Sequence, residues 1–512
     1  MRPRRDFLKL AMAGAISGAT SALGLPLAAE AAGDSPNAPT PFGATTVLEL
    51  SRALAKKPFE APKSPLPDPF SSLTYDQYVA IRPKPGSAVW SGNNVGFAIE
   101  PLHRGFIFST PMDIYIVEGG FARKLVYDSS AFDFGKLVIP GNLPDIGFSG
   151  FRVLRTSEAG GAYEVALYQG ASFFRAQARG QNFGVTARGL SIRTAEPQGE
   201  EFPLFRSVWI EKPTLTDNVL VVYALLDSPS LTGAYRFTLR PGEATIIDTE
   251  LTLTTRAAVD HFGVSAMSAT YLFGQLDHKR PDDIRPMVHE IDGLQMLTGK
   301  GEWIWRAISN RNTLQISAFS DSNPHGFGLL QRERSLEAYQ DDDAHWELRP
   351  SLWIEPIGDW ADGEVRLVEI PSDSENNDNV IAYWRPRASL AANAEIAFAY
   401  RQFWCWTPPA RPPLATVVES REGKIGSKWR RFIVEFSSDA FAKPERLAEV
   451  KPTLTANPGK ITSLRTFSSA ERMTYRVVFD LEPTSDGVSE LRLVLEADGK
   501  PASETWLYRW TL

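Results

Sequence analysis

The sequence predicts an all-β chain, a large antiparallel sandwich followed by a small one. Three observations predict it. Between residues 97 and 400 the apolar runs either alternate with polar residues or are short enough to be buried strands. Turn dipeptides punctuate them: Pro-Gly at 140–141 and 241–242, Gly-Gly at 119–120 and 160–161, Asp-Gly at 292–293 and 362–363. After a proline-rich break, about seven short strands fit into roughly 100 residues, the spacing of an immunoglobulin-like sandwich.

Taken in order, the chain opens on an address. Arg4-Arg5-Asp6-Phe7-Leu8-Lys9 precedes a moderately apolar stretch over 10–27, and Ala29-Glu30-Ala31 sets small residues where a signal peptidase reads. Residues 1–31 are therefore expected to be a twin-arginine signal peptide that exports a folded protein to the periplasm. Ala, Gly and Ser interrupt its apolar run, which is too weak for a lasting anchor. Residues 32–41, rich in Pro and Ala, are expected to be disordered.

Two helices follow. Val47, Leu50 and Leu54 have helical spacing within 46–58, and Thr74 with Gln77 forms a capping box for 74–81, stopped before Pro83. Strands are expected over 105–116, 163–168, 219–226, 244–254, 314–319, 365–370 and 396–403. The first domain spans 42–406. Residues 407–414 (Thr-Pro-Pro-Ala-Arg-Pro-Pro-Leu) read as an extended linker. Residues 415–512 form the second domain, with strands at 431–437, 475–481, 490–497 and 504–510.

Composition excludes several functions. A formal charge of −7 disfavours nucleic acid and anionic membrane surfaces, and removing the basic leader makes the remainder more acidic. A single cysteine, Cys405, permits neither an internal disulfide nor a thiolate zinc site. The phosphate-binding loop, the G-x-S-x-G elbow and H-E-x-x-H are all absent. Ser149 reads as a turn residue. His261, His278 and His289 read as structural, and Asp341-Asp342-Asp343 as a solvated charge run. Neither metal nor cofactor is expected. All six histidines precede the linker, which places any chemistry in the first domain.

Carboxylate chemistry remains. Glycosidic cleavage needs one protonated carboxyl to donate to the leaving oxygen, and a second to activate water or attack. Residues 349–384 present two alternating runs around a polar loop with Asp373, Glu375 and Asp378. Glu290 and Asp292 lie in His289-Glu-Ile-Asp-Gly293, and Glu302 adjoins Trp303 and Trp305. Each pattern has a plainer reading, a solvated hairpin tip for the loop and a buried strand face for Trp-Ile-Trp.

Several blocks resemble the periplasmic glucan biosynthesis proteins G and D (OpgG/MdoG and OpgD/MdoD). They include Pro144-Asp-Ile-Gly-Phe-Ser-Gly-Phe151, Tyr168-Gln-Gly-Ala-Ser-Phe-Phe-Arg175, Gly301-Glu-Trp-Ile-Trp305, Arg349-Pro-Ser-Leu-Trp-Ile-Glu-Pro356 and Glu504-Thr-Trp-Leu-Tyr508. The resemblance implies a galactose-mutarotase-like β-sandwich followed by an immunoglobulin-like domain. It also implies work on the β-1,2-glucan backbone of osmoregulated periplasmic glucans, as inverting glycoside hydrolase or transglycosylase. The family's general acid, the Asp of E-x-x-D-N, falls on Asp378, with Glu375 as the like charge expected to raise its pKa and Glu290 on the base side. Trp346, Arg349, Trp353, Tyr339 and Trp303 are expected to bind the sugar chain.

Two positions depart from the family pattern. Glu290 stands where the family commonly has Asp, and Trp346 where a tyrosine usually precedes the R-P-S-L block. An indole N–H only donates, so it cannot relay a proton as a phenol does. Plain hydrolysis is therefore expected to be slowed or rerouted. Three functions compete: an enzyme that cuts or rejoins β-1,2-glucan, a non-catalytic glucan-binding protein working with the inner-membrane glucosyltransferase, and a mutarotase-like epimerase. A homodimer is plausible from the resemblance.

Overall fold

Alternation of side chains decides the architecture, because each long strand has one apolar face that must be covered. A computed structural model describes residues 38–511, apart from 64, 157–160, 215–216, 277–281, 427 and 485–486. The expected signal peptide, most of the expected disordered segment, Gly160 and His278 lie outside the described residues. Among the described residues, two large sheets of sixteen and ten strands face each other. Their inner faces meet in one core that includes Phe151, Phe174, Phe237, Met267, Leu367, Trp384 and Trp404.

The larger sheet runs through Leu204–Glu211, Leu220–Asp227, Leu231–Arg240, Ala244–Thr255 and Glu395–Cys405 in antiparallel register. The smaller runs from Gln315–Ser322 through Asp362–Glu369, Val380–Pro386 and Phe262–Ala269 to Phe97–Leu102. Its outer face carries the site described below. Helices Thr46–Ala55 and Tyr75–Ala80 sit where the spacing puts them, and Thr74 and Gln77 close the capping box.

Three local expectations are corrected. Only Asp113–Glu118 of the run 105–116 is strand; Gly105 and Phe108 bond each other across a tight turn, and Pro111 has no N–H for a ladder. Asp362 and Gly363 open a strand instead of a turn. A Cβ at Gly363 would stand 2.4 Å from the Trp384 ring, so this glycine serves close packing. Thr40 and Pro41, expected to be disordered, pair with Ala122 and Phe121.

The segment 407–414 lacks regular structure, yet the sheet does not stop there. Trp303–Ala307 pairs in parallel with Thr505–Thr511, which carries the larger sheet into the C-terminal sandwich. That sandwich is closed by a second sheet of four strands. Fully buried Glu504 locks the seam: it accepts two bonds from Arg332 (2.7 and 3.0 Å), one from Gln295 (2.8 Å) and one from the Val417 N–H (2.8 Å). The Arg332 guanidinium also lies 3.5 Å from the Trp305 ring centre. Glu504→Ala should destabilise the protein by about 3 kcal/mol in denaturant unfolding, the low end for a broken buried pair, because Arg332 keeps some access to water.

Candidate functional site

The site begins with strand parity. In Phe173–Ala176, Phe174 and Ala176 enter the core and Arg175 points outward; in Thr186–Arg188, Ala187 is inward and Thr186 outward. In Phe262–Ala269 the pairing with Val380–Pro386 shifts between Val264 and Met267. This bulge lets Val264, Met267 and Ala269 all reach the core and turns Ser268 outward. Arg175, Thr186 and Ser268 thus stand on one outer face. The Arg175 Nε–H donates to Thr186 Oγ1 (2.7 Å).

Asp378 meets this row from the loop before Val380–Pro386. Its carboxylate accepts from Ser268 Oγ (3.0 Å) and lies 3.9 Å from an Arg175 guanidinium nitrogen, with only 6% of the side chain exposed. Glu290 follows the short strand Val288–His289 and is 7% exposed. Its Oε2 accepts from the Thr270 N–H (3.2 Å). Burial raises the Glu290 pKa above the ordinary carboxylate range, and the charge of Asp378 raises it further, while Arg349 and Arg175 pull it down. The fold therefore brings Glu290 and Asp378 together.

Glu375 is placed differently from the expectation. Its carboxylate pairs with Arg285 at 2.6 Å and not with Asp378, so the like charge beside Asp378 comes from Glu290. Arg285 also binds Asp283 (2.6 Å) and Asp341 (2.9 Å), tying three loops together. Asp341 is accordingly buried, in contrast to the solvated run expected at 341–343.

The expected sugar-binding residues divide. Arg349 lies close enough to act on Glu290; it donates to Phe183 O and Ala344 O and stacks on Trp346 at 5.3 Å. Trp346 is buried, and its indole N–H is spent on Asp341 (2.9 Å). Tyr339 is fully buried, accepting from Gln331 (2.8 Å), and desolvation pushes its phenol pKa up. Trp303 and Trp353 stack on each other (5.9 Å) in the core shared with the C-terminal sandwich. Burial denies both rings a sugar, so their assignment to binding is corrected: alternation along the strands buried them, as the plainer reading of Trp-Ile-Trp had it. Glu302 bonds Arg492 and Thr505 at the seam, away from the pair.

Sequence reasoning missed Ser268, Thr186 and the role of Arg175. Arg175 ends one of the motif blocks, but no spacing rule reveals a bulge that turns Ser268 outward. A separate small cavity lies beside His289, Asp292 and Arg332, towards the seam with the C-terminal sandwich.

Glu290 gives a pH signature. Unfolded, it ionises in the ordinary carboxylate range; folded, it keeps its proton to higher pH. The unfolded chain binds fewer protons across that window, so stability falls as pH rises through it. Glu290→Gln is expected to melt above the wild type once pH exceeds the window, and to lose that advantage below the ordinary carboxylate range. Calorimetry from about pH 4 to about pH 8 checks this.

Comparison with known proteins gives the lineage. Residues 42–510 match the family model described as "Periplasmic glucan biosynthesis protein, MdoG". The chain is 43% identical over 478 residues to "Glucans biosynthesis protein G" of Vibrio cholerae serotype O1, covering 92% of this chain and 87% of that one. It is 43% identical over 479 residues to the protein of that name from Shewanella baltica (strain OS195), covering 92% and 88%. A match of this length, over both sandwiches and the seam between them, means that the chain belongs to the MdoG family of periplasmic glucan biosynthesis proteins.

Proposed function

We propose that this protein acts in periplasmic glucan biosynthesis by cleaving or rejoining the β-1,2-linked glucose backbone, with Asp378 as general acid. The observation that carries the reading is the pair Glu290 and Asp378, nearly buried together on the outer face of the smaller sheet beside Arg175. Burial, with Asp378 beside it, raises the pKa of Glu290 and holds a proton within the site, from which Asp378 takes up the proton it donates. That proton passes from Asp378 to the bridging oxygen as the glycosidic bond breaks, and the leaving sugar departs as a neutral alcohol. As the bond breaks, an acceptor hydroxyl attacks the anomeric carbon from the opposite face, inverting it; its proton is taken up by water, and the Asp378 carboxylate is reprotonated from solvent.

The nature of the acceptor follows from the base side. One Glu290 oxygen is engaged by the Thr270 N–H, and the only polar atom of Trp346 is engaged by Asp341. The indole N–H of Trp346 only donates and is already engaged, so it cannot relay a proton from water. This supports a sugar hydroxyl as acceptor, hence transglycosylation over hydrolysis. It equally supports a second reading, in which this face only holds glucan delivered by the inner-membrane glucosyltransferase. Export through the twin-arginine leader, and assembly as a homodimer, complete the proposal.

Asp378→Asn should slow any change in the chain length of linear β-1,2-glucan by at least about a hundredfold, the usual worth of a general acid. Unchanged turnover removes Asp378 from the reaction, and a wild type that binds glucan without altering its length favours the second reading. Trp346→Tyr is expected to raise the share of hydrolysis over transfer, measured by product sizing and reducing-end release.

A further inference from the structure

Glu290 and Asp378 lie on segments that share no strand pairing. Glu290 follows Val288–His289, a strand of a separate two-stranded ribbon, and Asp378 precedes Val380–Pro386 of the smaller sheet. What joins them is the segment Thr270-Tyr271. On one flank, Thr270 O accepts from the Glu290 N–H (2.9 Å) while the Thr270 N–H donates to Glu290 Oε2 (3.2 Å), so one residue holds both the backbone and the carboxylate of Glu290.

The other flank is held by Asn379, which is 2% exposed. Its Oδ1 accepts from the Tyr271 N–H (2.8 Å), and its Nδ2 donates to Tyr271 O (2.9 Å) and Ile370 O (3.1 Å). Thr270 Oγ1 adds a bond to Asn377 O (2.9 Å). The ladder between Phe262–Ala269 and Val380–Pro386 ends at the pair Ala269 and Val380. Beyond it, the carboxamide of Asn379 stands in for the peptide that the next ladder position would have supplied. Only an amide side chain of this length offers one acceptor and two donors; Asp has no N–H and Leu has neither group.

We propose that Asn379, acting through Thr270-Tyr271, is a positioning residue that sets the distance between Glu290 and Asp378. The inference rests on the reading that these two carboxyls work as a pair. The charged groups that act on Glu290 are Asp378, Arg349 and Arg175; burial lowers the pKa of the adjacent His289, which Asp292 and Glu333 partly restore. Releasing the segment changes the first of these contacts and admits water to the Glu290 carboxyl.

The test compares the melting temperature of each protein with that of its Glu290→Gln counterpart across pH, which reports where Glu290 ionises in the folded state without any turnover. In the Asn379→Ala background that midpoint is expected to move to lower pH. On linear β-1,2-glucan, kcat is expected to fall about a hundredfold with KM little changed, the cost of a displacement near 1 Å. If Asn379→Ala lowers melting equally at every pH and leaves the Glu290 midpoint at its wild-type value, the residue is merely structural and the proposal fails. If Asn379→Ala does not fold, Thr270→Val against Thr270→Ser decides. A midpoint moved in the first and kept in the second supports the proposal; the wild-type midpoint in both overturns it. A wild type inert towards glucan defeats the proposed function alone, because the thermal titration still reads the pair.

Discussion

In the strand Phe262–Ala269 the pairing with its neighbour slips by one residue between Val264 and Met267, and Ser265 takes a left-handed φ of +50° to allow it. Strand side chains alternate, so an uninterrupted ladder with Val264 inward would also have turned Ser268 inward. The slip reverses that parity while keeping Val264, Met267 and Ala269 in the core. Ser268 is thereby presented to Asp378, and the strand's end is carried to Thr270, where Glu290 is held. Core packing and the placement of both carboxyls thus depend on one irregularity.

Electrostatics then separates the acidic residues that crowd this region. Glu375 pairs with Arg285 on the exposed side, a guanidinium it shares with Asp283 and Asp341. Asp378 and Glu290 lie deeper, with Arg175 and Arg349 near them. Burial and the neighbouring Asp378 raise the pKa of Glu290, whereas Glu375 is held by a guanidinium nearer the surface. Three similar side chains therefore take different parts, and burial and neighbours decide which.

The C-terminal sandwich is not a loosely tethered appendage. Parallel pairing of Trp303–Ala307 with Thr505–Thr511, and the enclosed carboxylate of Glu504, make its sheet continuous with the larger sheet of the first sandwich. The strand Gly293–Leu297, which pairs with Trp303–Ala307 at the seam, begins shortly after Glu290 in the chain. The seam thus supports the side of the fold from which Glu290 is presented.

Much of this was legible in the letters alone. Period-two alternation gave the strands, and Thr74 and Gln77 gave a helix start, because local backbone preference and side-chain type act within a few residues; resemblance to a known family pointed to Asp378 and Glu290. The pairing of Glu375 with Arg285, the burial of Trp353 and Tyr339, the strand at Asp362-Gly363 and the bridge from Asn379 to Glu290 were not legible. Each depends on contacts between residues far apart in sequence, or on which face of a strand a bulge exposes. The sequence by itself determined an all-β chain with an acidic site in its first sandwich; tertiary structure decided which two acids share that site, since only the assembled sheets set their burial and their neighbours.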